Sequence, residues 1–199
     1  MTTSTARTVT ANIALTLDGR YNGPGGPTDI AAIVPYATTE VARNHLNRLH
    51  ENATTAVLGR KNAEGFLEFW PAVAVDDNAD PRDRAYAKWL VDTDKVVFST
   101  TLTDSPWERT RIANAPAADV ITQLKASGEG EILVNTSPTV TKALLAADLI
   151  DRLYLLITPE IVGAGEQLFV DGLPGSQWRL TSQEAGEIGE IAVVYDRKR

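Results

Sequence analysis

Apolar residues alternate with polar or small residues near the start of the chain. The alternating positions are Val9, Ala11, Ile13, Leu15 and Leu17. A period of two predicts a β-strand with one strongly apolar face. The Asp18-Gly19 dipeptide that follows predicts a turn at the end of this strand.

The rest of the chain alternates between helix-like and strand-like patterns. Helices are predicted for residues 39–49 with a preceding threonine as N-cap, for a segment with Ala63, Phe66 and Phe69 that ends at Pro71, for a segment opened by Asp80-Pro81, for residues 115–126 and for a segment opened by Ser137-Pro138. Strands are predicted for residues 54–58, 95–99, 131–134 and 153–157, and for a pair between Trp178 and Tyr195 that turns near residues 186–189. This order predicts an α/β fold with a mostly parallel sheet, helices on both faces and an antiparallel C-terminal edge.

Length, composition and charge narrow the class of protein. We predict a single domain over residues 1–199, with residues 1–7 disordered. A net charge of −7 disfavours binding to nucleic acid or to an anionic membrane, although a local basic pocket for one phosphorylated ligand stays open. The absence of cysteine excludes disulfides and thiolate catalysis, and with only two histidines we predict no metal site. Because no signal peptide or long apolar run is visible, we expect a cytoplasmic protein.

Three predicted strand ends carry chemistry that suits a phosphorylated ligand. They are Gly59-Arg60-Lys61-Asn62, Ser99-Thr100-Thr101 and Asn135-Thr136-Ser137-Pro138. Ligands of such sheets bind at the carboxyl ends of the strands, where cations, hydroxyls and helix N-termini bind phosphate. Each motif has a structural alternative: a turn with solvated cations, a satisfied strand end and an N-cap serine. Their recurrence at successive strand ends favours a nucleotide that lies across the sheet edge.

Asp18 is the best candidate for a catalytic acid. It ends the first strand beside a glycine- and proline-rich loop at residues 21–28, which we interpret as a surface loop and a candidate lid. A carboxylate there is suited to bind the N–H groups of a heterocycle or to help deliver a proton. The alternative is an ordinary Asp-Gly turn. Gly163 and Gly165 follow another predicted strand, where glycines permit close backbone approach or simply serve a loop.

Taken in order, these motifs resemble the dihydrofolate-reductase-like superfamily, and most closely the RibD C-terminal reductase family of riboflavin biosynthesis. The matching stretches are Leu17-Asp18-Gly19, Leu58-Gly59-Arg60-Lys61, residues 95–102, residues 144–153 and residues 158–169. The resemblance covers the chain from about Val9 to Tyr195. It implies a three-layer α/β/α fold, NADPH as hydride donor and often a homodimer. The riboflavin-pathway enzyme reduces the ribose of a phosphorylated aminopyrimidine.

The resemblance also assigns roles to particular residues. It implies that Gly59, Arg60, Lys61, Ser99 and Thr100 bind cofactor phosphates, and that Asp18 lines the substrate side. It places Asn62, Asn135, Thr136, Ser137, Gly163 and Gly165 on the cofactor side or at the junction with the substrate. The function expected is an NADPH-dependent reductase that transfers a hydride to a pyrimidine- or pteridine-like molecule.

The chain departs from the family at the loop after the third of these strand ends. Thr136-Ser137 stands where the family has Gly-Gly or Gly-Ser, and Asn135 stands where riboflavin enzymes often carry an acid. A threonine adds bulk next to the pyrophosphate and disfavours a positive φ. Two alternatives therefore remain open, namely a relative that binds a nucleotide or another small ligand without catalysis, and a reductase that uses a flavin.

Overall fold

Strands and helices alternate along most of the chain, as the sequence patterns predict. The computed structural model describes residues 6–199. The strands are β1 (Val9–Thr16), β2 (Ala53–Gly59), β3 (Asp94–Phe98), β4 (Thr110–Ala113), β5 (Glu131–Asn135), β6 (Arg152–Thr158), β7 (Gln177–Ala185) and β8 (Ile191–Lys198). The helices are α1 (Glu40–Leu49), α2 (Arg60–Ala74), α3 (Pro81–Asp92), α4 (Ala117–Lys125) and α5 (Pro138–Ala146), with a short 3-10 helix at Val34–Tyr36.

The eight strands form one mixed sheet in the order β4-β3-β2-β5-β1-β6-β8-β7. The first six strands in this order run parallel, whereas β8 pairs antiparallel with β6 and β7 pairs antiparallel with β8. This confirms the predicted parallel sheet with an antiparallel C-terminal edge. The carboxyl ends of β1, β2, β3, β5 and β6 consequently meet at one edge of the sheet, which is where ligands of such folds bind.

Helices cover both faces of the sheet and produce three layers. On one face, Val120 and Ile121 of α4 and Leu144 of α5 are buried against β1 and β5. On the other face, α2 and α3 bury Tyr86 and Leu90 against β2 and β3, while α1 lies over β6 and β8. Both sides of the central strands are therefore withdrawn from water, which explains their continuous apolar runs.

Three details differ from the sequence predictions. Pro71 does not end α2, which continues to Ala74, with Trp70 packed edge-on against Tyr86 at a ring distance of 4.7 Å. The short strand β4 was not predicted, because only four residues at the sheet edge form it. Arg7 is not disordered but buried, with its guanidinium donating to Gly130 O at 3.0 Å, among other acceptors. Residues 1–5 of the segment predicted as disordered lie outside the described residues.

Candidate active site

The carboxyl ends of β2 and β5 are joined by direct hydrogen bonds. The backbone N–H of Gly59 donates to Ser137 Oγ at 2.9 Å, and the amide of Asn62 donates to Asn135 O at 2.8 Å. These contacts hold the N-termini of α2 and α5 side by side. Two adjacent helix N-termini present unpaired backbone N–H groups to one place, which is a favourable arrangement for a phosphate or pyrophosphate.

Arg60 connects the end of β2 to the end of β3. Its guanidinium donates to Thr101 Oγ1 across these two ends and forms an ion pair of 2.7 Å with Glu64 one helical turn away. Lys61 and Thr100 are exposed beside it. The structure thus brings together the cations and hydroxyls of two separately predicted motifs. Thr101 belongs to the predicted Ser99-Thr100-Thr101 motif, although the family resemblance assigned a role only to Ser99 and Thr100.

Ser99 has a different role from the predicted one. Its hydroxyl is buried and accepts from the backbone N–H groups of Thr101 at 3.2 Å and Leu102 at 2.9 Å, so it stabilises the turn after β3. This corresponds to the satisfied strand end that the sequence left as the alternative. Ser137 does not cap its helix either, because its side chain instead bonds to Gly59 and to Asn135 O.

Asn135 faces the protein interior and not the edge of the sheet. The residue is fully buried, its amide donates to the Tyr86 hydroxyl, and its side-chain oxygen accepts from Asn12 at 3.2 Å. Only its backbone carbonyl reaches the site, where it accepts from Asn62 and Ser137. The side chain therefore holds the loop in place from the protein interior. A direct contact between this amide and a cofactor is not supported.

Thr136 adopts the left-handed backbone that glycine adopts easily. Its φ is +44°, and its N–H donates to Asn12 O at 2.9 Å. For a β-branched residue this conformation is strained. The loop consequently keeps a backbone of the kind that glycine would allow, with a threonine side chain in place of open space.

We expect Thr136→Gly to stabilise the protein by about 1 kcal/mol, because the strain of the left-handed threonine disappears. If the loop approaches a nucleotide, removal of the side chain also tightens NADPH binding by about tenfold, or about 1.4 kcal/mol. Arg109 has a φ of +52° next to β4, at the opposite end of the strands, and Arg109→Gly is therefore the matched control. Equal gains in NADPH affinity for both variants would contradict a role for Thr136 at the site.

Asp18 is held by hydrogen bonds on both carboxylate oxygens. Oδ1 accepts from the Thr16 hydroxyl at 2.6 Å, and Oδ2 accepts from Gly163 N at 3.0 Å and from Arg20 Nε at 2.9 Å. The bond from Thr16, with those from Gly163 and Arg20, holds the pKa of Asp18 well below its usual range. The group stays ionised at neutral pH, so its predicted use as a proton donor is not supported.

Gly163 and Gly165, the two predicted glycines, lie in the same loop but differ in their surroundings. Gly163 has a φ of +68° with open space around its α-carbon, and its N–H binds Asp18. Gly165 has a φ of +110°, and a Cβ there would lie 2.2 Å from Asn22 O. The 163–165 loop therefore contacts both the turn after β1, at Asp18, and the start of the candidate lid, at Asn22.

A cluster that the sequence analysis missed lies beside this loop. Lys142 Nζ donates to the Tyr21 hydroxyl at 3.0 Å and lies 3.6 Å from the Glu166 carboxylate. Tyr21 also donates to Glu166, and burial, together with this hydrogen bond, raises the pKa of the phenol. The three residues are far apart in sequence, and no local pattern predicts that they meet.

Comparisons with known proteins give one family and several structures. The model of the RibD C-terminal domain family matches residues 7–193. A putative riboflavin biosynthesis protein from Shewanella sp. PV-4 is 21% identical, with a TM-score of 0.72 over 96% of this chain and 99% of that one. The deaminase/5-amino-6-(5-phosphoribosylamino)uracil reductase of Thermotoga maritima is 14% identical, with a TM-score of 0.64 over 97% of this chain and 57% of that one.

A third similar structure is dihydrofolate reductase from Enterococcus faecalis in complex with NADP(H). It is 17% identical, with a TM-score of 0.58 over 96% of this chain and 97% of that chain. At these identities the structures establish the dihydrofolate-reductase-like fold that the sequence predicted. They do not by themselves assign an activity.

Proposed function

Because the chain belongs to the RibD C-terminal domain family, we propose that it is an NADPH-dependent reductase of a small heterocyclic molecule. The observation that carries the proposal is that Arg60, Thr101 and the adjoining N-termini of α2 and α5 lie together at one edge of the sheet, an arrangement that suits a phosphorylated cofactor. Similar chains supply the chemical context, since one belongs to a deaminase/reductase and another was solved with NADP(H).

The residues at this edge fit the polar part of NADPH. Backbone N–H groups at the two helix N-termini suit a pyrophosphate. Arg60, Lys61 and the exposed hydroxyls of Thr100 and Thr101 lie at the ends of β2 and β3, where they would hold the adenosine side with its extra phosphate. The backbone at Thr136 has the positive φ that a close approach requires.

NADPH supplies a hydride when it is bound, and the protein supplies position and charge. In this proposal Arg60 and Lys61 neutralise phosphate, and the hydrogen bond from Gly59 to Ser137 fixes the spacing of the two helix N-termini. Gly163 and Gly165 hold the loop beside the end of β1. Asp18 acts as a positioning residue, because its carboxylate accepts from Thr16, Arg20 and the 163–165 loop and so orients the substrate side.

A second candidate function is binding of a nucleotide or other small ligand without catalysis. Two observations favour it: the threonine side chain at the position of a family glycine, and the full hydrogen bonding of the Asp18 carboxylate. A flavin-dependent reductase is the third alternative. The homodimer and the cytoplasmic location remain predictions; no helix within residues 6–199 is long and apolar enough to cross a membrane.

We expect the chain to bind NADPH in the micromolar range and more tightly than NADH. Arg60→Ala should weaken NADPH binding at least about tenfold, which is about 1.4 kcal/mol, but NADH binding much less, because NADH lacks the extra phosphate. Fluorescence of the bound nicotinamide or calorimetry measures both affinities.

Arg84→Ala is the control for the loss of an arginine, since Arg84 pairs with Asp77 ahead of α3. Unchanged affinity in Arg60→Ala would remove this residue from the site. The reductase proposal fails if neither nucleotide binds at millimolar concentration. Binding without any turnover of pyrimidine or pteridine substrates would favour the non-catalytic relative.

A further inference from the structure

The proposed cofactor edge leaves two strand ends free for a substrate. Arg60, Thr101 and the helix N-termini occupy the ends of β2, β3 and β5. In the sheet order, β1 and β6 follow next on the far side of β5. We call the surroundings of the β1 and β6 ends, together with the loop over residues 20–39, the substrate end. Its chemistry indicates which class of molecule it accepts.

Carboxylates outnumber cations at the substrate end. Among the described residues, the carboxylates are Asp18, Asp29, Glu160, Glu166 and Glu190, and the cations are Arg20 and Lys142. Arg20 donates to Asp18 at 2.9 Å and to the carbonyl of Gly165. Lys142 lies against Glu166 and 5.1 Å above the ring of Tyr21. Neither cation is available to an incoming anion without breaking these contacts.

The arginines of the helices that flank this end are paired as well. Arg43 on α1 lies 2.9 Å from Asp83, and Arg82 on α3 lies 2.6 Å from Glu40 and 2.8 Å from Asp80. Arg48 lies 3.1 Å from Glu184. At the cofactor edge Arg60 is likewise paired, with Glu64, but Lys61 is exposed and forms no ion pair within residues 6–199. Phosphate is therefore favoured at one half of the sheet edge and repelled at the other.

Buried acceptors without partners line the floor of the substrate end. Thr158 follows Ile157 and Glu190 precedes Ile191, and these two isoleucines pair across β6 and β8. Thr158 Oγ1 and Glu190 Oε2 are buried, and within residues 6–199 neither has a hydrogen-bond partner. Buried polar atoms are normally satisfied, so two neighbouring exceptions point to a missing donor.

Tyr36 and Glu160 complete this floor. The Tyr36 hydroxyl donates to Glu160 Oε1 at 2.8 Å, which leaves the other oxygen of that carboxylate free of any bond among the described residues. The charge of Glu190 acts on the same phenol and contributes to the raised pKa of Tyr36, after the hydrogen bond to Glu160 and burial. In the described part of the chain, Glu160 therefore keeps one acceptor oxygen free beside the Tyr36 hydroxyl, next to the 3-10 helix Val34–Tyr36.

We infer that the substrate carries no phosphate and offers several N–H donors, as an amino-substituted pyrimidine or pteridine ring does. Glu160 and Glu190 accept from those N–H groups, and the surplus of negative charge at the substrate end disfavours a phosphorylated substrate. This inference rests on the proposed reductase function and names the substrate class of the same site. It separates the chain from a reductase whose substrate is phosphorylated.

The test compares two probes that differ by one phosphate: 5-amino-6-(ribosylamino)uracil and its 5′-phosphate. Binding to the full chain saturated with NADP⁺ is measured by calorimetry. We expect the unphosphorylated probe to bind at least about tenfold more tightly, a difference that shrinks as salt screens the repulsion. Glu160→Gln keeps an acceptor for Tyr36 and removes the charge. It should therefore weaken binding of the unphosphorylated probe and strengthen binding of the phosphorylated one.

Glu129→Gln is the matched control, because it removes one exposed charge at the amino ends of the strands. It should leave the ratio of the two affinities unchanged. Tighter binding of the phosphorylated probe, or binding of neither probe to a chain that binds NADP⁺, overturns the inference. Failure of NADP⁺ itself to bind instead rejects the proposed function, so the two failures are distinguishable.

Discussion

Replacing Gly165 by alanine should cost the protein about 3 kcal/mol of unfolding free energy, because strain and overlap add at this position. The backbone has a φ of +110°, which a side chain disfavours. The new Cβ would also lie 2.2 Å from Asn22 O and 2.9 Å from Gly23 O. Both are backbone atoms, so no side-chain rotation can relieve the overlap. The start of the lid must therefore move away from the 163–165 loop.

Gly163→Ala supplies the control for this prediction. Gly163 has a φ of +68° in the same loop, with no atom within 4 Å of an added Cβ. We expect a loss of about 1 kcal/mol from strain alone. Denaturant unfolding measures both variants. Equal losses would mean that the approach of Asn22 to Gly165 adds nothing to the stability of the loop.

The same pair of variants tests whether the 163–165 loop belongs to the substrate end or to the cofactor edge. Asn22 is buried, and its side-chain oxygen accepts from Glu166 N at 2.6 Å, so displacing it disturbs the substrate end. The proposed cofactor edge lies at β2, β3 and β5, whereas Gly165 lies against Asn22 and Gly23. Gly165→Ala should therefore lower turnover while NADPH affinity changes less than about threefold. A larger loss of NADPH affinity would place the 163–165 loop within the cofactor site.

Much of the fold could be predicted from the sequence because its signals are local. The alternation at Val9–Thr16 and the capping pair Asp80-Pro81 each act within a few residues, and both appear where expected. The strand order could not be derived in this way. Pro71 illustrates the limit, since a local rule ends α2 there, whereas the contact of Trp70 with Tyr86 involves a helix further along the chain.

The roles of the site residues were harder to predict than their location. Motifs at three strand ends lie together at one edge of the sheet, as expected for parallel strands, but the patterns did not indicate which atoms face that edge. Ser99 and Asn135 turn inward because backbone N–H groups and the Tyr86 hydroxyl need partners there. Asp18 meets Gly163 only in the folded chain. Hydrogen bonds to residues distant in sequence decide these roles, and spacing along the chain carries no information about them.

The pH dependence of stability should be dominated between pH 6.5 and 4 by His45, a buried residue of α1. Both ring nitrogens lack a hydrogen-bond partner within residues 6–199, and the ring lies 4.8 Å from that of Tyr154. Burial, with the nearby Arg48, lowers the pKa of His45 to about 4, against 6.5 for the unfolded chain. The unfolded state therefore binds a proton first, and stability falls as the pH drops from 6.5 towards 4.

The full loss due to His45 amounts to about 3 kcal/mol, from a difference of roughly 2.5 pH units. Asp18 and Asp80 also have lowered pKa values, but as carboxylates they lose their contribution in a more acidic range, below their unfolded pKa. The variant His45→Leu removes the titrating ring without breaking a hydrogen bond, so we expect similar stability at pH 7 and a nearly flat profile down to pH 5. Urea unfolding at a series of pH values measures this, with His50→Leu as the control at the half-buried histidine that is the C-cap of the same helix. If the free energy of unfolding still falls with pH in His45→Leu but no longer falls in His50→Leu, the proton binds at His50 instead.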